Sequence, residues 1–543
     1  MKRIVSWLRE RYYLLTPVLM FLSFPSFDFF IFRLFPFFAW ISLAPVFLYI
    51  RDKSLKDVYY TAFIAGLLGN LFTYQWIGNF APPGSGGYFV ILIPLIPCLS
   101  VFFSLKIFLS EYLSRKYEHL RFLIFPAIWI IIEWIQSIGF LAFPLPLWAY
   151  SQYPCTSLLQ SASVIGATGI AYIMIMFNYL LSELIYAKKE NGLNARLACS
   201  SQGKRLIGLT VLIVVMIFSG FIRLSRDDKP IKKDLRVSIV QTCIDPWENW
   251  DRNKMIYLDE LIKITDFSLR ENPDFIIWSE SATLETISYD YDRKFRSLFE
   301  KELLDYIKAR GRPLLTGEIG ILEDSSGFIM RRNPQNNAVL VNGFGEVIKS
   351  YSKINLVPFG EWFPYEKWLP VIGDIAVSFG GSKFIPGAEP VLFDLENRRF
   401  GALICYEGIF HRLCRGYRNM GADFFINITN DNWTDSYAGH MQHFSASVFR
   451  AVENGIWYIR AGNSGCSAVI DPLGRIVKSI PILKKGYLVG DIDFSLNRPT
   501  FYAAHGDLLL HASMIFIALL MIIFLAGKIR QKRAGNGKKT QIH

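Results

Sequence analysis

The sequence contains eight apolar stretches, each close to the ~20 residues that a helix needs to cross a bilayer. Hydrophobic residues make up 52% of the chain and charged residues only 19%, which is unusual for a soluble protein. We predict a membrane domain at 1–226 with seven transmembrane helices, and an eighth helix at 505–528. Glu133 lies inside the fifth stretch, and because a carboxylate in hydrocarbon is costly, we expect it to face the bundle interior. The stretches lie at 12–27, 29–50, 57–79, 88–111, 121–141, 161–186, 205–224 and 508–526.

The basic residues predict how these helices are oriented. Lys and Arg precede the first stretch, follow the second, and lie between the fourth and fifth and between the sixth and seventh. The alternate loops at 81–87 and 143–154 contain neither residue. Because loops rich in Lys and Arg stay in the cytoplasm, we predict that both termini, including a basic tail at 529–543, are cytoplasmic. The net charge of +12 arises largely from these loops, so we expect no nucleic-acid partner.

Between the seventh and eighth stretches the composition changes to that of a soluble domain. A polar linker, Arg226–Pro230, leads into short apolar runs, with helical patterns between several of them, for example at Asn253–Arg270 and Gln442–Glu453. Strands that alternate with helices are typical of α/β layered domains. We predict such a domain at 234–495, outside the cytoplasm, because seven crossings precede it. Its predicted strands are Leu235–Gln241, Phe275–Trp278, Leu314–Gly317, Ala338–Val341, Phe400–Cys405, Phe424–Asn427, Trp457–Ala461 and Ala468–Asp471.

One of these strands delivers a cysteine to its end. In RRFGALICYEGIF, Arg398 to Phe410, an apolar run ends at Cys405, and Gly408 follows shortly after. A glycine allows a sharp turn, which would place the thiol at the edge of the sheet, where it could act as a nucleophile. The alternative is a buried structural cysteine. The chain has seven cysteines and no CxxC pair, so it predicts neither a disulfide framework nor a zinc site.

Two other strand boundaries carry the charged groups that a nucleophilic thiol requires. Glu280 ends the apolar run in DFIIWSESA, and Lys353 precedes an apolar turn in YSKINLVPFGEWFP, which also contains Glu361. A carboxylate can accept the thiol proton, and an ammonium group favours the thiolate. Each residue alone is more often a solvated surface charge. Together, each at a strand boundary, they predict a site formed by Glu280, Lys353 and Cys405.

These motifs resemble the Glu-Lys-Cys triad of the nitrilase superfamily. The flanking apolar stretches, the LVPFGEWFP turn and NDNWTDSYAGHMQHFSASVFRAVENG at 430–455 make the chain similar, over almost its whole length, to the apolipoprotein N-acyltransferase family. Some motifs differ from the family pattern: WSES stands for WPET, NDNWTD for NDxWFG, and AFPLP for GFPW. These differences replace no triad residue, and they bear on the preference for acyl chain and phospholipid.

The resemblance implies both a fold and a reaction. The fold is an αββα nitrilase-like sandwich, inserted in a polytopic helical domain of the bacterial inner membrane and exposed on the periplasmic side. Cys405 would take an acyl chain from a membrane phospholipid as a thioester, and would pass it to the N-terminal amine of an S-diacylglyceryl-cysteine apolipoprotein. Glu280 would act as general base, and Lys353 would stabilise the thiolate and the oxyanion. No cofactor or metal is implied, and we expect a monomer.

Further residues are implied as supports of this site. Glu361 would steady Lys353 or the incoming amine, unless it is a plain turn carboxylate. Tyr406 and Glu407 would shape the pocket beside the thiol. Trp250 would line the acyl pocket, with core packing as the alternative. The aromatic segment at 361–384 would be either a mobile arm that dips into the membrane or an ordinary loop over the core.

Other kinds of protein would use the same features differently. A membrane-anchored amidase or nitrile hydrolase would use the triad with water as acceptor, although eight spans exceed what an anchor needs. A Cys-His enzyme would use His440 or His443, but neither lies in a stretch that supplies an orienting partner, and HMQH lacks the glutamate of a zinc HExxH site. A transporter or lipid-binding scaffold without activity would be expected to lack a triad residue, and none is missing.

Overall fold

The computed structural model describes residues 10–539, except for gaps at 29–34, 83, 140–141, 146, 192–199, 228–229, 246–247, 249, 284, 288–296, 324–331 and 364–380. Helices form the chain up to Arg226, strands and helices follow from Leu235 to Ile492, and a long helix begins at Leu508. The predicted aromatic arm at 361–384 lies mostly outside the described residues.

The long helices of the first part follow some of the apolar stretches but not all of them. Within the described ranges, four helices are long and apolar enough to cross a membrane: Gly87–Ser114, Ala162–Lys189, Ser201–Arg226 and Leu508–Ile529. The count of eight spans therefore stays a prediction. The helices of this part and the C-terminal helix are Leu15–Ser23, Phe35–Phe38, Ala44–Ile50, Leu55–Tyr74, Gly87–Ser114, Arg121–Gln136, Thr156–Leu159, Ala162–Asn191, Ser201–Arg226 and Leu508–Lys539.

A charged pair is buried inside the helical bundle. Glu133 is 3% exposed and Lys106 is 5% exposed, and the Lys106 ammonium lies 3.9 Å from Oε1 of Glu133. The same oxygen accepts a hydrogen bond from Nε1 of Trp129 at 2.9 Å. Glu133 thus faces the bundle interior, where a cation and a donor compensate for the loss of water.

The second part of the chain contains two sheets. Its strands are β1 (Leu235–Gln241), β2 (Phe275–Ile277), β3 (Leu314–Glu323), β4 (Arg332–Val341), β5 (Val347–Ser352), β6 (Leu392–Leu395), β7 (Arg398–Ile404), β8 (Phe424–Thr429), β9 (Trp457–Gly462), β10 (Ser467–Ile470), β11 (Ile476–Ile480) and β12 (Gly486–Ile492). Over the described residues, the first sheet has the order β12-β1-β2-β3-β4-β5 and the second has the order β11-β10-β9-β8-β7-β6. The eight predicted strands are all present, and the four that were not predicted are β5, β6, β11 and β12.

Four layers result from the way these sheets bury their apolar faces. Buried Ile, Val and Phe side chains from both sheets form one core between them. The helices Trp250–Leu269 and Leu298–Arg310 cover the outer face of the first sheet. The helices His411–Met420 and Tyr437–Asn454 cover the outer face of the second sheet. The predicted αββα layering of the α/β domain is therefore confirmed.

The helix Tyr437–Asn454 also packs on the N-terminal helices, and one apolar cluster joins these helices to the second sheet. Its Gln442 accepts a hydrogen bond from Nε1 of Trp76 at 3.1 Å. Its Glu453 accepts one from the backbone N–H of Ala167 at 2.8 Å, directly after a residue that interrupts the membrane helix with φ of 65°. The carboxylate thus satisfies an N–H at a helix start, where such groups lack a partner within the helix.

Loops with and without basic residues lie at opposite ends of the helix Leu55–Tyr74, which at 20 residues is about 30 Å long. Asn79, after this helix, donates a hydrogen bond to the carbonyl of Thr434 in the α/β domain at 2.7 Å. Lys53, before it, accepts one at its carbonyl from Arg115 of the next basic loop. The predicted orientation requires this separation of the two kinds of loop. Which side of the membrane the α/β domain faces stays a prediction.

Thiol labelling in intact cells tests that orientation. Phe344 is 75% exposed in the α/β domain, and we expect Phe344→Cys to react with a membrane-impermeant maleimide. Ser200→Cys, between the sixth and seventh predicted spans, should react only after the cells are lysed. The parent protein serves as the blank for its native cysteines. Labelling of Ser200→Cys but not of Phe344→Cys in intact cells would place the α/β domain in the cytoplasm.

Candidate active site

Cys405 lies at the turn that follows β7. The strand ends at Ile404, and Cys405–Ile409 forms a short 3-10 helix. Cys405 itself has a left-handed conformation with φ of 51°, which costs a residue with a Cβ roughly 1–2 kcal/mol. Strain of this kind is often found at active sites. The sharp turn therefore falls on the cysteine and not on Gly408, which corrects our expectation that the glycine provides it.

Gly408 is required for another reason, which is close packing. A Cβ at this position would collide with the amide of Asn427 on β8 and with the hydroxyl of Tyr458 on β9. The glycine therefore lets the 3-10 turn approach the neighbouring strands, and so helps to fix the height of the thiol above the sheet.

Glu280 follows β2 and is 5% exposed. Its Oε2 accepts a hydrogen bond from the backbone N–H of Asn430 at 2.7 Å, and its Oε1 accepts one from Nδ2 of Asn336 at 2.7 Å. Burial raises the pKa of Glu280 above its ordinary value, and the ammonium of Lys353 offsets part of that effect. A carboxylate with a raised pKa is better suited to act as a general base near neutral pH.

Lys353 follows β5 and lies fully buried between two carboxylates. Its Nζ is 2.7 Å from Oε1 of Glu361 and 3.4 Å from Oε1 of Glu280. Burial alone would lower the pKa of Lys353, but the two carboxylates outweigh it, and the pKa is raised above its ordinary value. Lys353 is therefore an ammonium ion, held in a site from which water is largely removed.

The surroundings of Cys405 disfavour a preformed thiolate. Burial raises the pKa of Cys405 well above its ordinary value and Glu280 raises it further, whereas Lys353 lowers it. A base that accepts the proton as the sulfur attacks is therefore needed. Glu280, which is coupled electrostatically to both groups, can accept that proton.

Glu361 lies closer to the ammonium of Lys353 than Glu280 does, as expected if it steadies the lysine. Asn336, on β4, connects the two carboxylates, because its Nδ2 donates to Oε1 of Glu280 at 2.7 Å and to Oε1 of Glu361 at 3.2 Å. The sequence analysis did not single out Asn336. Its one signal is a run of polar residues, 335–337, directly before a predicted buried strand.

Glu407 holds the cysteine turn against the segment that follows Lys353. Its Oε1 accepts hydrogen bonds from the backbone N–H of Ile354 at 2.7 Å and from the hydroxyl of Tyr351 at 2.7 Å. Its Oε2 accepts one from the backbone N–H of Ile404 at 2.9 Å. The carboxylate thus fixes the spacing between the strand ends that carry Lys353 and Cys405.

Tyr406 connects the same turn to the membrane domain. Its hydroxyl donates a hydrogen bond to the carbonyl of Ala142 at 2.7 Å, and its side chain is largely buried. The residue next to Cys405 is therefore anchored directly before the loop at 143–154, which contains neither Lys nor Arg. This contact requires the two domains to be assembled, and no motif in the sequence predicts it.

His443 has an orienting partner that the sequence did not show. Its Nδ1 lies 2.8 Å from Oδ1 of Asp431, and Asp431 also pairs with the fully buried Arg460. One potential ligand atom each of Cys405, Asp431 and His443 lies within 4.8 Å of the other two. Our reason for setting aside a Cys-His site was therefore wrong. The same three residue types could ligate a metal ion, but the Arg460 guanidinium on Asp431 opposes a further cation.

Two predicted features of the site fall outside what the structure describes. Trp250 begins the helix Trp250–Leu269, but its side chain is not among the described ones, so its place in an acyl pocket stays a prediction. Residues 364–380 of the proposed arm are likewise outside the described ranges, and its two alternative roles stay open.

The sequence matches two family models. Residues 17–180 match the apolipoprotein N-acyltransferase N-terminal domain, and residues 236–502 match the carbon-nitrogen hydrolase domain. An apolipoprotein N-acyltransferase of Geobacter metallireducens is 30% identical over 483 residues, which cover 86% of this chain and 87% of that protein. One from Borreliella burgdorferi is 29% identical over 471 residues, which cover 86% and 84% of the two chains.

Among solved structures, an amidase of the nitrilase superfamily from Nesterenkonia aligns with a TM-score of 0.38 at 20% identity, covering 52% of this chain and 98% of that chain. The carbon-nitrogen hydrolase match and the two packed sheets give residues 236–502 a nitrilase-like fold. The match to the Geobacter protein extends over most of both chains and includes the helical part as well as the α/β domain. The chain therefore belongs to the apolipoprotein N-acyltransferase family.

Proposed function

We propose that this protein transfers an acyl chain from a membrane phospholipid to the N-terminal amine of S-diacylglyceryl-cysteine apolipoproteins. The observation that carries the proposal is a strained cysteine beside a buried carboxylate and ammonium pair, in a domain packed on apolar helices. The hydrogen bond from Tyr406 to Ala142 supports it further, because the residue next to the nucleophile contacts the membrane domain. An ester of a lipid is the acyl donor closest to such a site.

In the first half-reaction, the Cys405 sulfur attacks the ester carbonyl of the phospholipid while its proton passes to Glu280. The carbonyl oxygen becomes an oxyanion, which Lys353 and a backbone N–H near the cysteine stabilise. When the carbon–oxygen bond breaks, the lysophospholipid leaves as an alkoxide and takes the proton from Glu280. The products are a thioester on Cys405 and a lysophospholipid.

In the second half-reaction, the neutral lipoprotein amine attacks the thioester. Glu280 is again a carboxylate and accepts a proton from the amine nitrogen. The carbon–sulfur bond breaks, the sulfur takes that proton from Glu280, and the acyl chain is now an amide on the lipoprotein. Glu361 keeps Lys353 in place through both steps, since it is the closer of its two carboxylate partners. No step needs a cofactor.

The proposed location follows from the same chemistry. The acceptor is a lipoprotein after export, so the α/β domain would face the periplasm, with both termini in the cytoplasm and the chain in the inner membrane. The gathering of basic loops away from the α/β domain supports this orientation. We propose a monomer, because the three triad residues all come from one chain.

The distribution of products separates this function from that of a hydrolase. With an acyl-labelled phospholipid and a synthetic S-diacylglyceryl-cysteine peptide, we expect the label in a peptide amide, with one lysophospholipid formed per amide. A peptide with an acetylated N-terminus should receive no label, because its nitrogen is no longer nucleophilic. Release of the label as free fatty acid, at a rate that the peptide does not change, would favour the amidase-like alternative with water as acceptor.

A further inference from the structure

The carbonyl oxygen of Cys405 is held by two side chains. Nδ2 of Asn427 donates to it at 3.1 Å, and Nε2 of His443 lies 3.2 Å from it. Asn427 is fully buried and the His443 side chain is 12% exposed. These contacts are made to the peptide unit that follows the strained residue Cys405, and two donors on one carbonyl restrict its rotation.

The partners of His443 fix the orientation of its ring. Burial alone would raise the pKa of Asp431, but Arg460 and His443 outweigh it and hold the pKa well below its ordinary value, so Asp431 is a carboxylate. Nδ1 of His443 faces this carboxylate at 2.8 Å and Nε2 faces the Cys405 carbonyl at 3.2 Å. A carbonyl oxygen can only accept a hydrogen bond, so the contact at Nε2 requires Nε2 to donate.

A ring nitrogen that donates to a carbonyl cannot at the same time accept the thiol proton, and Nε2 of His443 is therefore not the general base of a Cys-His pair. Nδ1 faces the Asp431 carboxylate and lies 3.3 Å from Arg460. These contacts hold the ring in place. His443 can therefore influence the reaction through its hydrogen bond to the carbonyl of Cys405.

That peptide unit has a second polar group. In a trans peptide the C=O of one residue and the N–H of the next point in opposite directions. Holding the Cys405 carbonyl toward Asn427 and His443 therefore directs the N–H of Tyr406 away from them. This N–H is one of the donors that the proposed reaction needs for the oxyanion.

We infer that His443 is a positioning residue for oxyanion stabilisation: together with Asn427 it holds the peptide unit between Cys405 and Tyr406 so that the Tyr406 N–H donates to the oxyanion. This inference rests on the proposed acyl transfer. No bond to His443 forms or breaks, and the thiol proton still passes to Glu280 and then to the leaving oxygen. Asp431 keeps the ring oriented.

Two substitutions of similar size separate the contributions of the two ring nitrogens of His443. In His443→Gln the amide nitrogen can take the place of Nε2 and donate to the Cys405 carbonyl. In His443→Asn it can take only the place of Nδ1, which faces Asp431. Acylation is measured with 4-nitrophenyl butyrate, whose ester passes through the same oxyanion without requiring a lipid donor. Alkylation of Cys405 by iodoacetamide is measured in parallel across a pH series. In this reaction the sulfur displaces iodide from a carbon atom and no oxyanion forms, so it reports on the thiol alone.

We expect His443→Asn to acylate roughly 10- to 100-fold more slowly, the loss that a misdirected group causes, while its alkylation at full thiol ionisation stays near the parent rate. His443→Gln should recover most of the acylation. Equal losses of acylation and alkylation in His443→Asn would overturn the inference, and so would unchanged acylation. If His443→Asn does not fold, Asn427→Asp takes its place, since it keeps the shape and removes the other donor. Failure of the parent protein to use phospholipid would count against the proposed function but not against this inference.

Discussion

The Cys405→Ala protein should form no acyl-enzyme and should transfer no acyl chain, because the sulfur is the atom that carries the acyl group between donor and acceptor. Removal of the nucleophile in triad hydrolases lowers kcat by about 10⁶. The fold should survive. Alanine has the same Cβ as cysteine, so the left-handed turn carries the same strain as before. Transfer to the peptide acceptor and thermal unfolding measure the two effects separately.

The matched controls are the same change at two other cysteines. Cys414 and Cys466 are both buried. Cys414 lies on the helix His411–Met420 and Cys466 lies between β9 and β10, so neither occupies the turn after β7 that carries the proposed nucleophile. Cys414→Ala and Cys466→Ala should therefore keep their activity. Transfer by Cys405→Ala at the parent rate would mean that the nucleophile lies elsewhere in the chain.

Lys353→Met should slow thioester formation by roughly 10²–10³ or more, since it keeps the volume of the side chain but removes one charge from a dry site. The loss has two physical sources. The ammonium lowers the pKa of Cys405 against the effect of burial, and it also lowers the pKa of Glu280. Without it, the thiol is harder to ionise and Glu280 is harder to keep as a base. The rate is measured as acyl-enzyme formed from phospholipid alone.

Lys349→Met is the control, because Lys349 lies on β5, the strand that Lys353 follows, but pairs with Asp394 with both side chains exposed. It should acylate like the parent. Folding of Lys353→Met must be checked by thermal unfolding, since loss of one partner of a buried ion pair costs about 3–5 kcal/mol. Acylation of folded Lys353→Met at the parent rate would remove Lys353 from the triad.

The sequence predicts the interior strands of the α/β domain and misses its edges. The four strands that were not predicted, β5, β6, β11 and β12, are the two outer strands of each sheet. An interior strand is covered on both faces and appears as a continuous apolar run. An edge strand is partly exposed: in β11, IVKSI, only the last residue is buried. Its polar residues break the run on which the predictions depend.

The same limit applies to the site. Glu280, Lys353 and Cys405 could be singled out as a proposed site because each follows an interior strand or lies in a specific motif. Asn336 and His443 contact residues far away in the chain: Asn336 is 56 positions from Glu280, and His443 is 38 positions from Cys405. No local pattern carries such contacts. The left-handed conformation of Cys405 was not predicted either, because the sharp turn could be assigned equally well to the nearby Gly408.

The membrane helices were predicted from the length and apolarity of sequence stretches. These two properties match some of the observed helices better than others. The stretch at 121–141 contains a helix of 16 residues, Arg121–Gln136, which is shorter than the ~20 residues of a full crossing. Polar residues on this helix are buried against others of the bundle, as Glu133 is against Lys106. Apolarity alone therefore does not define where such a helix ends.

Intact mass of the purified protein tests the central claim most directly. After incubation with phospholipid and no acceptor, we expect an added mass equal to one acyl chain, located on Cys405 by peptide mapping and removed by hydroxylamine as a thioester is. Addition of an S-diacylglyceryl-cysteine peptide should return the protein to its original mass and leave the acyl chain on the peptide. Transfer to the peptide without any acyl-enzyme, or an adduct on another residue, would contradict the account.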